Sequence, residues 1–164
     1  MEILLALFCG LRKGEIAGLK FGDFDVETRT IYIQRQITSN PVVSKGGSEI
    51  QSYEVIEKPP KTDNSYRRLR IPEAIAEEIE KRRAVVEANK LQYGEQYFDH
   101  DYISCQENGL PHSMAAMNGV LTRLCARNGL PHITVHGLRH MYATILIEMK
   151  VPLIKISALW GMQV

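Results

Sequence analysis

The chain has 164 residues, 45% hydrophobic and 24% charged, with a formal net charge of +1. That length supports one sizeable core in a single domain without disulfide or metal staples. Cys9, Cys105 and Cys125 are odd in number and form no CxxC pair, and no apolar run approaches the roughly 20 residues of a membrane span. A disulfide framework, a cysteine zinc site and a spanning helix are therefore not indicated. The start also lacks a basic leader with a small-residue cleavage site, so a soluble protein of the reducing cytoplasm is expected.

In chain order, "EILLALFCGL" is apolar almost all round and reads as a buried helix stopped at Gly10. A short second helix is expected through "KGEIAGLK". "TIYIQRQI" sets Ile31, Ile33, Arg35 and Ile37 against Tyr32, Gln34 and Gln36, the period-2 pattern of a strand. "TSNPVVSKGGSE", broken by Pro41 and Gly46-Gly47, reads as a long loop or hairpin tip. "SYEVIEK" and "YRRLRI" read as two more strands around the turn "PPKTDN".

Pro72 can open a helix that reaches about Tyr93, with acidic residues near its start and basic ones further along. "YISCQ" reads as a short extended piece. Ser113 is a good N-cap for a helix with Met117, Val120, Leu121, Leu124 and Cys125 at helical spacing, ending at Asn128-Gly129. Thr134 precedes another helix, whose Leu138, Met141, Ile145 and Met149 share a face, and Pro152 starts a last one. The expected fold class is α+β, mainly helical, with a small three-stranded antiparallel sheet.

Charge is clustered unevenly. Between Lys58 and Arg70 lie Lys58, Lys61, Arg67, Arg68 and Arg70 against one acid, Asp63. Alone, such a run is a solvated hairpin face.

Two constellations bear on chemistry. His132, His136 and His140 recur every four residues, and two histidines four apart on a helix suit a metal such as zinc. Against that, Pro131 separates His132 from the helix, Gly137 stands where a metalloprotease has glutamate, and Arg139 adds a positive charge beside the cation. The second constellation suits an anion: Arg139 has a planar fork near a helix N-terminus, and Arg12 follows a buried helix with Glu15 three residues on. A plain helix ion pair would also account for Arg12 and Glu15.

"GLRKGEIAGLKFGDFD", "KTDNSYRRLRIP" and "ITVHGLRHMYAT" with "ISALWG" resemble, in order and character, the catalytic domain of the tyrosine recombinases, or phage integrases. The likeness runs from Cys9 to Gly161. It implies site-specific breakage and rejoining of double-stranded DNA through a 3′-phosphotyrosyl intermediate, with no cofactor and no metal. On that resemblance Arg12 and Arg139 grip the non-bridging oxygens of the scissile phosphate, Lys61 protonates the departing 5′ oxygen, and His136 assists proton transfer or phosphate binding. Glu15 and His140 support them, and Lys58, Arg67, Arg68 and Arg70 approach the DNA backbone.

The family places its nucleophile on a helix beyond "LWG", whereas the last tyrosine here is Tyr142, and Met162 stands where the family usually has a histidine donor. The expectation is thus a single but incomplete catalytic domain over 1–164, without the N-terminal DNA-clamping domain and the tyrosine helix, inactive in cleavage alone. The full-length protein is expected to form a multimer on DNA, as an integrase or transposase of a mobile element. The alternatives are a non-catalytic DNA-binding fragment, a type IB topoisomerase relative, and a hydrolase using His136 and His140 to hold a metal.

Overall fold

The computed structural model describes residues 1–43, 50–60 and 65–161 of the chain. Lys61, most of the "PPKTDN" turn, the tip of the loop after Val43, and Met162 lie outside the described residues.

Helix α1 spans Glu2–Cys9 and stops where Gly10 adopts φ 62°, a left-handed conformation that glycine reaches without steric cost. Its Leu5, Ala6 and Cys9 are buried, and it packs against the later helix α5, Val135–Glu148. A brief extended break then leads into α2, Lys13–Gly18, whose N-cap is Arg12. Gly14 lets this helix lie close to the next strands, since a Cβ there would stand 2.8 Å from the Ile37 carbonyl oxygen.

The strands depart from the sequence reading in their pairing. A small antiparallel sheet of three strands is present as expected, but its members are β1 (Phe24–Asp25), not read as a strand from the sequence, β2 (Thr30–Ile33) and β5 (Arg67–Arg70), in the order β1-β2-β5. β3 (Gln36–Val43) and β4 (Ile50–Lys58) form a separate antiparallel ribbon. "TIYIQRQI" is therefore two strands, "SYEVIEK" pairs with residues 36–43 and not with "YRRLRI", and half of the expected loop "TSNPVVSKGGSE" is strand. Pro41 is tolerated because both strands of a two-stranded ribbon are edges, where a missing N–H breaks no inner ladder.

The break between β2 and β3 falls at Gln34 and Arg35, whose side chains both turn onto buried Asp23. Asp23 also accepts the Lys20 backbone N–H at 2.9 Å. Glu57, near the end of β4, is held by Lys20 Nζ at 2.9 Å, Arg35 Nε at 3.4 Å and the Tyr102 hydroxyl at 2.7 Å. The base of the ribbon is thereby tied to the core by opposite charges and charge-assisted hydrogen bonds.

Helices complete the fold as expected. α3 runs Glu73–Tyr93 and buries Ile75, Ala76, Ile79 and Val86 along one stripe. α4, Met114–Arg127, is capped by the Ser113 hydroxyl, which accepts the Ala116 N–H at 3.1 Å, and α5 is capped by Thr134, which accepts from Gly137 at 3.1 Å. α6 spans Leu153–Trp160 and ends at Gly161, again left-handed. One contiguous core joins α1, α2, the three-stranded sheet, α3, α4 and α5. The shared face of α5 is buried only at Leu138: Met141, Ile145 and Met149 are exposed, because no described element covers them. Among the described residues, no helix is long and apolar enough to cross a membrane.

Candidate active site

The break after Gly10 brings Arg12 to the start of α2 with its side chain 37% exposed. One turn on, Glu15 points inward and is 3% exposed. Its Oε2 accepts the Arg12 backbone N–H at 2.8 Å, and its Oε1 accepts Arg12 Nη1 at 2.8 Å. What looked like an ordinary helix ion pair is therefore anchored on a buried carboxylate.

Arg67 completes that anchor, and here the structure corrects the sequence reading of a residue free to meet DNA. β5 alternates, so Arg67 and Leu69 face in while Arg68 and Arg70 face out. Arg67, with its side chain 6% exposed, donates Nη1 to Glu15 Oε1 and Nη2 to Oε2, both at 2.9 Å. Its Nε donates to the Leu159 carbonyl at 2.8 Å, and Nη1 also reaches the Ser65 carbonyl at 3.1 Å. Alternation with Leu69 and Ile71 was the sequence signal for this inward turn.

Arg139 enters from α5. It is buried, donates to the Gly10 carbonyl and, at 2.9 Å, to the Trp160 carbonyl, and its Nη1 lies 3.8 Å from Glu15 Oε2. The Trp160 ring lies 4.7 Å from its guanidinium carbon. The fork of Arg139 is thus held by main-chain oxygens, whereas that of Arg12 opens toward solvent.

Three guanidinium groups meet one carboxylate, leaving a local net charge of +2. Burial raises the Glu15 carboxyl, but the Arg67 bonds and charge, with the two Arg12 hydrogen bonds, outweigh it and hold the group below its ordinary value. Burial lowers Arg139 to about 10, helped by the charge of Arg12 and opposed by Glu15. Arg139 therefore stays charged at neutral pH. Such a preorganised excess of positive charge suits a tetrahedral anion.

His136 and His140 sit one turn apart on the exposed side of α5, their Nε2 atoms 2.8 Å apart and their rings edge to face. One Nε2 must accept while the other donates, so at least one ring is neutral. His136, three residues before Arg139 on the same helix, is lowered from its ordinary value by desolvation, then by the fields of His140, Arg139, Lys13 and Arg12. His140 also packs edge-on against Trp160, 5.6 Å between centroids. His132 lies apart, near Thr122 at 3.4 Å, and among the described residues no three His, Cys, Asp or Glu side chains converge as a metal site.

The remaining positions divide. Lys61 lies outside the described residues. Lys58, Arg68 and Arg70 are exposed, with Arg68 resting 5.0 Å above the Tyr32 ring. Tyr142 is half-buried with its ring against the Gly10 backbone, and burial, then Cys9, raises its phenol above the ordinary value, the opposite of an activated nucleophile.

The phage integrase family matches residues 1–163. A tyrosine recombinase XerC-like protein of Caldanaerobacter subterraneus subsp. tengcongensis is 34% identical over 96% of this chain and 41% of its own length. The transposase from transposon Tn916 of Enterococcus faecalis is 30% identical over 87% of this chain and 34% of its own length. The chain thus spans about two fifths or less of these curated relatives. Among solved structures, a Tn1549 transposon integrase in complex with transposon right-end DNA superposes with a TM-score of 0.76 at 21% identity, covering 99% of this chain and 50% of that one. The XerA recombinase superposes with a TM-score of 0.66 at 17% identity, covering 98% of this chain and 46% of that one. Those likenesses establish the fold, and with the match over nearly its whole length the chain belongs to the phage integrase family.

Proposed function

We propose that this chain carries the phosphate-binding half of a tyrosine recombinase active site, in an integrase or transposase of a mobile element. The observation that carries the reading is the gathering of Arg12, Arg67 and Arg139 on Glu15 beside His136, a cationic pocket built from three separate elements.

In the reaction proposed, a tyrosine oxygen attacks the scissile phosphorus, the bond to the 5′ oxygen breaks, and that oxygen leaves with a proton from Lys61. Arg12 and Arg139 neutralise the charge gathering on the non-bridging oxygens, and neutral His136 accepts or relays the tyrosine proton. The 3′-phosphotyrosyl bond keeps the energy of the broken diester, so attack by another 5′ hydroxyl rejoins the strand. Glu15 and His140 hold these groups in place, while Lys58, Arg68 and Arg70 contact phosphates along the duplex.

The nucleophile is proposed to come from residues outside this sequence, since Tyr142 packs against Gly10 and no tyrosine follows it. Residues 1–164 are then a part of one catalytic domain, and the full-length protein works as a multimer on double-stranded DNA in the cytoplasm. The test is a nicked DNA substrate, from which the cleaved 5′ fragment diffuses away, incubated with full-length protein. A covalent protein–DNA adduct that Arg12→Ala abolishes supports the reading; DNA binding without an adduct favours a non-catalytic binding protein.

A further inference from the structure

Arg67 lies buried behind Glu15 on the β5 side of the cluster, while Arg12 opens toward solvent. Every nitrogen of its guanidinium is engaged: Nη1 and Nη2 by the two oxygens of Glu15, Nη1 also by the Ser65 carbonyl, and Nε by the Leu159 carbonyl. Four of its five N–H donors are thereby used and its side chain is 6% exposed, so it has no paired fork left to offer a phosphate.

Its effect is transmitted through Glu15. The two oxygens of that carboxylate receive one bond each from Arg67 on one side and one each from Arg12, through the backbone N–H and Nη1, on the other. A carboxylate offers about four lone-pair sites, so these bonds leave Glu15 one orientation that satisfies all of them. The half-exposed Arg12 side chain, long and otherwise free to rotate, is thereby fixed from behind by a buried fork-to-fork pair. Arg67 also ties β5 to the end of α6 through Leu159, next to the Trp160 carbonyl that holds Arg139.

We propose that Arg67 is a positioning residue for recombination: by locking Glu15 it sets the direction in which Arg12 meets the scissile phosphate. This rests on the reading of Arg12 as a phosphate ligand. A lysine at position 67 would keep the charge but provide neither the planar fork nor the paired bonds.

The test compares two nicked substrates with full-length protein, one with the ordinary phosphodiester and one with a methylphosphonate at the scissile position. The methylphosphonate lacks the non-bridging charge, so cleaving it depends little on a correctly aimed arginine. Arg12→Ala is expected to lose cleavage on the phosphodiester and to lose far less on the methylphosphonate. Arg67→Lys is expected to follow the same pattern, about 10- to 100-fold down on the phosphodiester with DNA affinity unchanged, by analogy with the loss when a group that orients a metal ligand is removed.

Equal losses on both substrates, or none on either, for Arg67→Lys overturn the proposal while leaving the Arg12 reading intact if Arg12→Ala discriminates. If Arg12→Ala does not discriminate, the site reading falls and this proposal with it. Glu15→Gln keeps the shape and removes the charge that Arg67 grips. It is expected to show the same discrimination, and it decides the question should Arg67→Lys not fold.

Discussion

Arg67 and Glu15 meet fork to fork, two bonds of 2.9 Å between groups that are both almost fully buried. A pair of this kind is weak evidence of net stabilisation, because each ion has given up its water, but breaking it leaves an uncompensated charge inside the protein. Glu15→Ala is therefore expected to destabilise the fold by about 3–5 kcal/mol, read from the midpoint of urea unfolding. Glu78→Ala, which breaks an exposed pair with Lys81, should leave the midpoint nearly unchanged.

The same pair makes stability depend on pH. Glu15 titrates below its ordinary value of 4.5 in the folded chain, so the unfolded chain binds the proton first as acid is added. Its contribution is complete above about 4.5 and is lost as pH falls through the lower folded value. Urea midpoints measured from pH 6 downward should drop in this window for the native chain, and Glu15→Gln should flatten that part of the curve.

Arg12 should separate function from stability. Its side chain is partly solvated, so Arg12→Ala is expected to cost the fold less than about 1 kcal/mol. Cleavage by the full-length protein should nonetheless fall about 100- to 1,000-fold, the usual loss when one donor to a developing oxyanion is removed. Single-turnover cleavage beside thermal melting checks both halves.

Thr134 caps the helix that carries His136 and Arg139. Thr134→Ala should destabilise by about 1 kcal/mol and loosen the first turn of α5. Thr134→Ser, which keeps the hydroxyl, should restore most of the loss. Amide exchange at Leu138 and Arg139 would report the fraying directly.

Features written into short stretches of sequence were legible. Gly10, Ser113 and Thr134 mark helix ends by local chemistry, and the structure uses each in that way. The long polar helix from Glu73 to Tyr93 also followed from its start signal and the order of its charges. Strand pairing did not follow, because it is decided between distant residues: what divides "TIYIQRQI" into two strands is Asp23, which draws Gln34 and Arg35 onto one buried carboxylate.

Exposure was likewise hidden. A run of basic residues suggests one solvated face, but the period-2 rule sends Arg67 inward and only Arg68 and Arg70 outward. Met141, Ile145 and Met149 show the converse, a stripe at core spacing that stands in solvent, because periodicity shows where residues cluster and not what covers them.

Gly10 is more than punctuation between two helices. Its carbonyl receives Arg139 from 129 residues away, and the Tyr142 ring occupies the space where a side chain would stand. Any other residue there would strain the left-handed backbone and push on that ring, swinging the carbonyl off its bearing. The first helix therefore acts as a datum from which the reach of a distant guanidinium is measured: lengthen it by one residue, and the pocket would be cut to a different gauge.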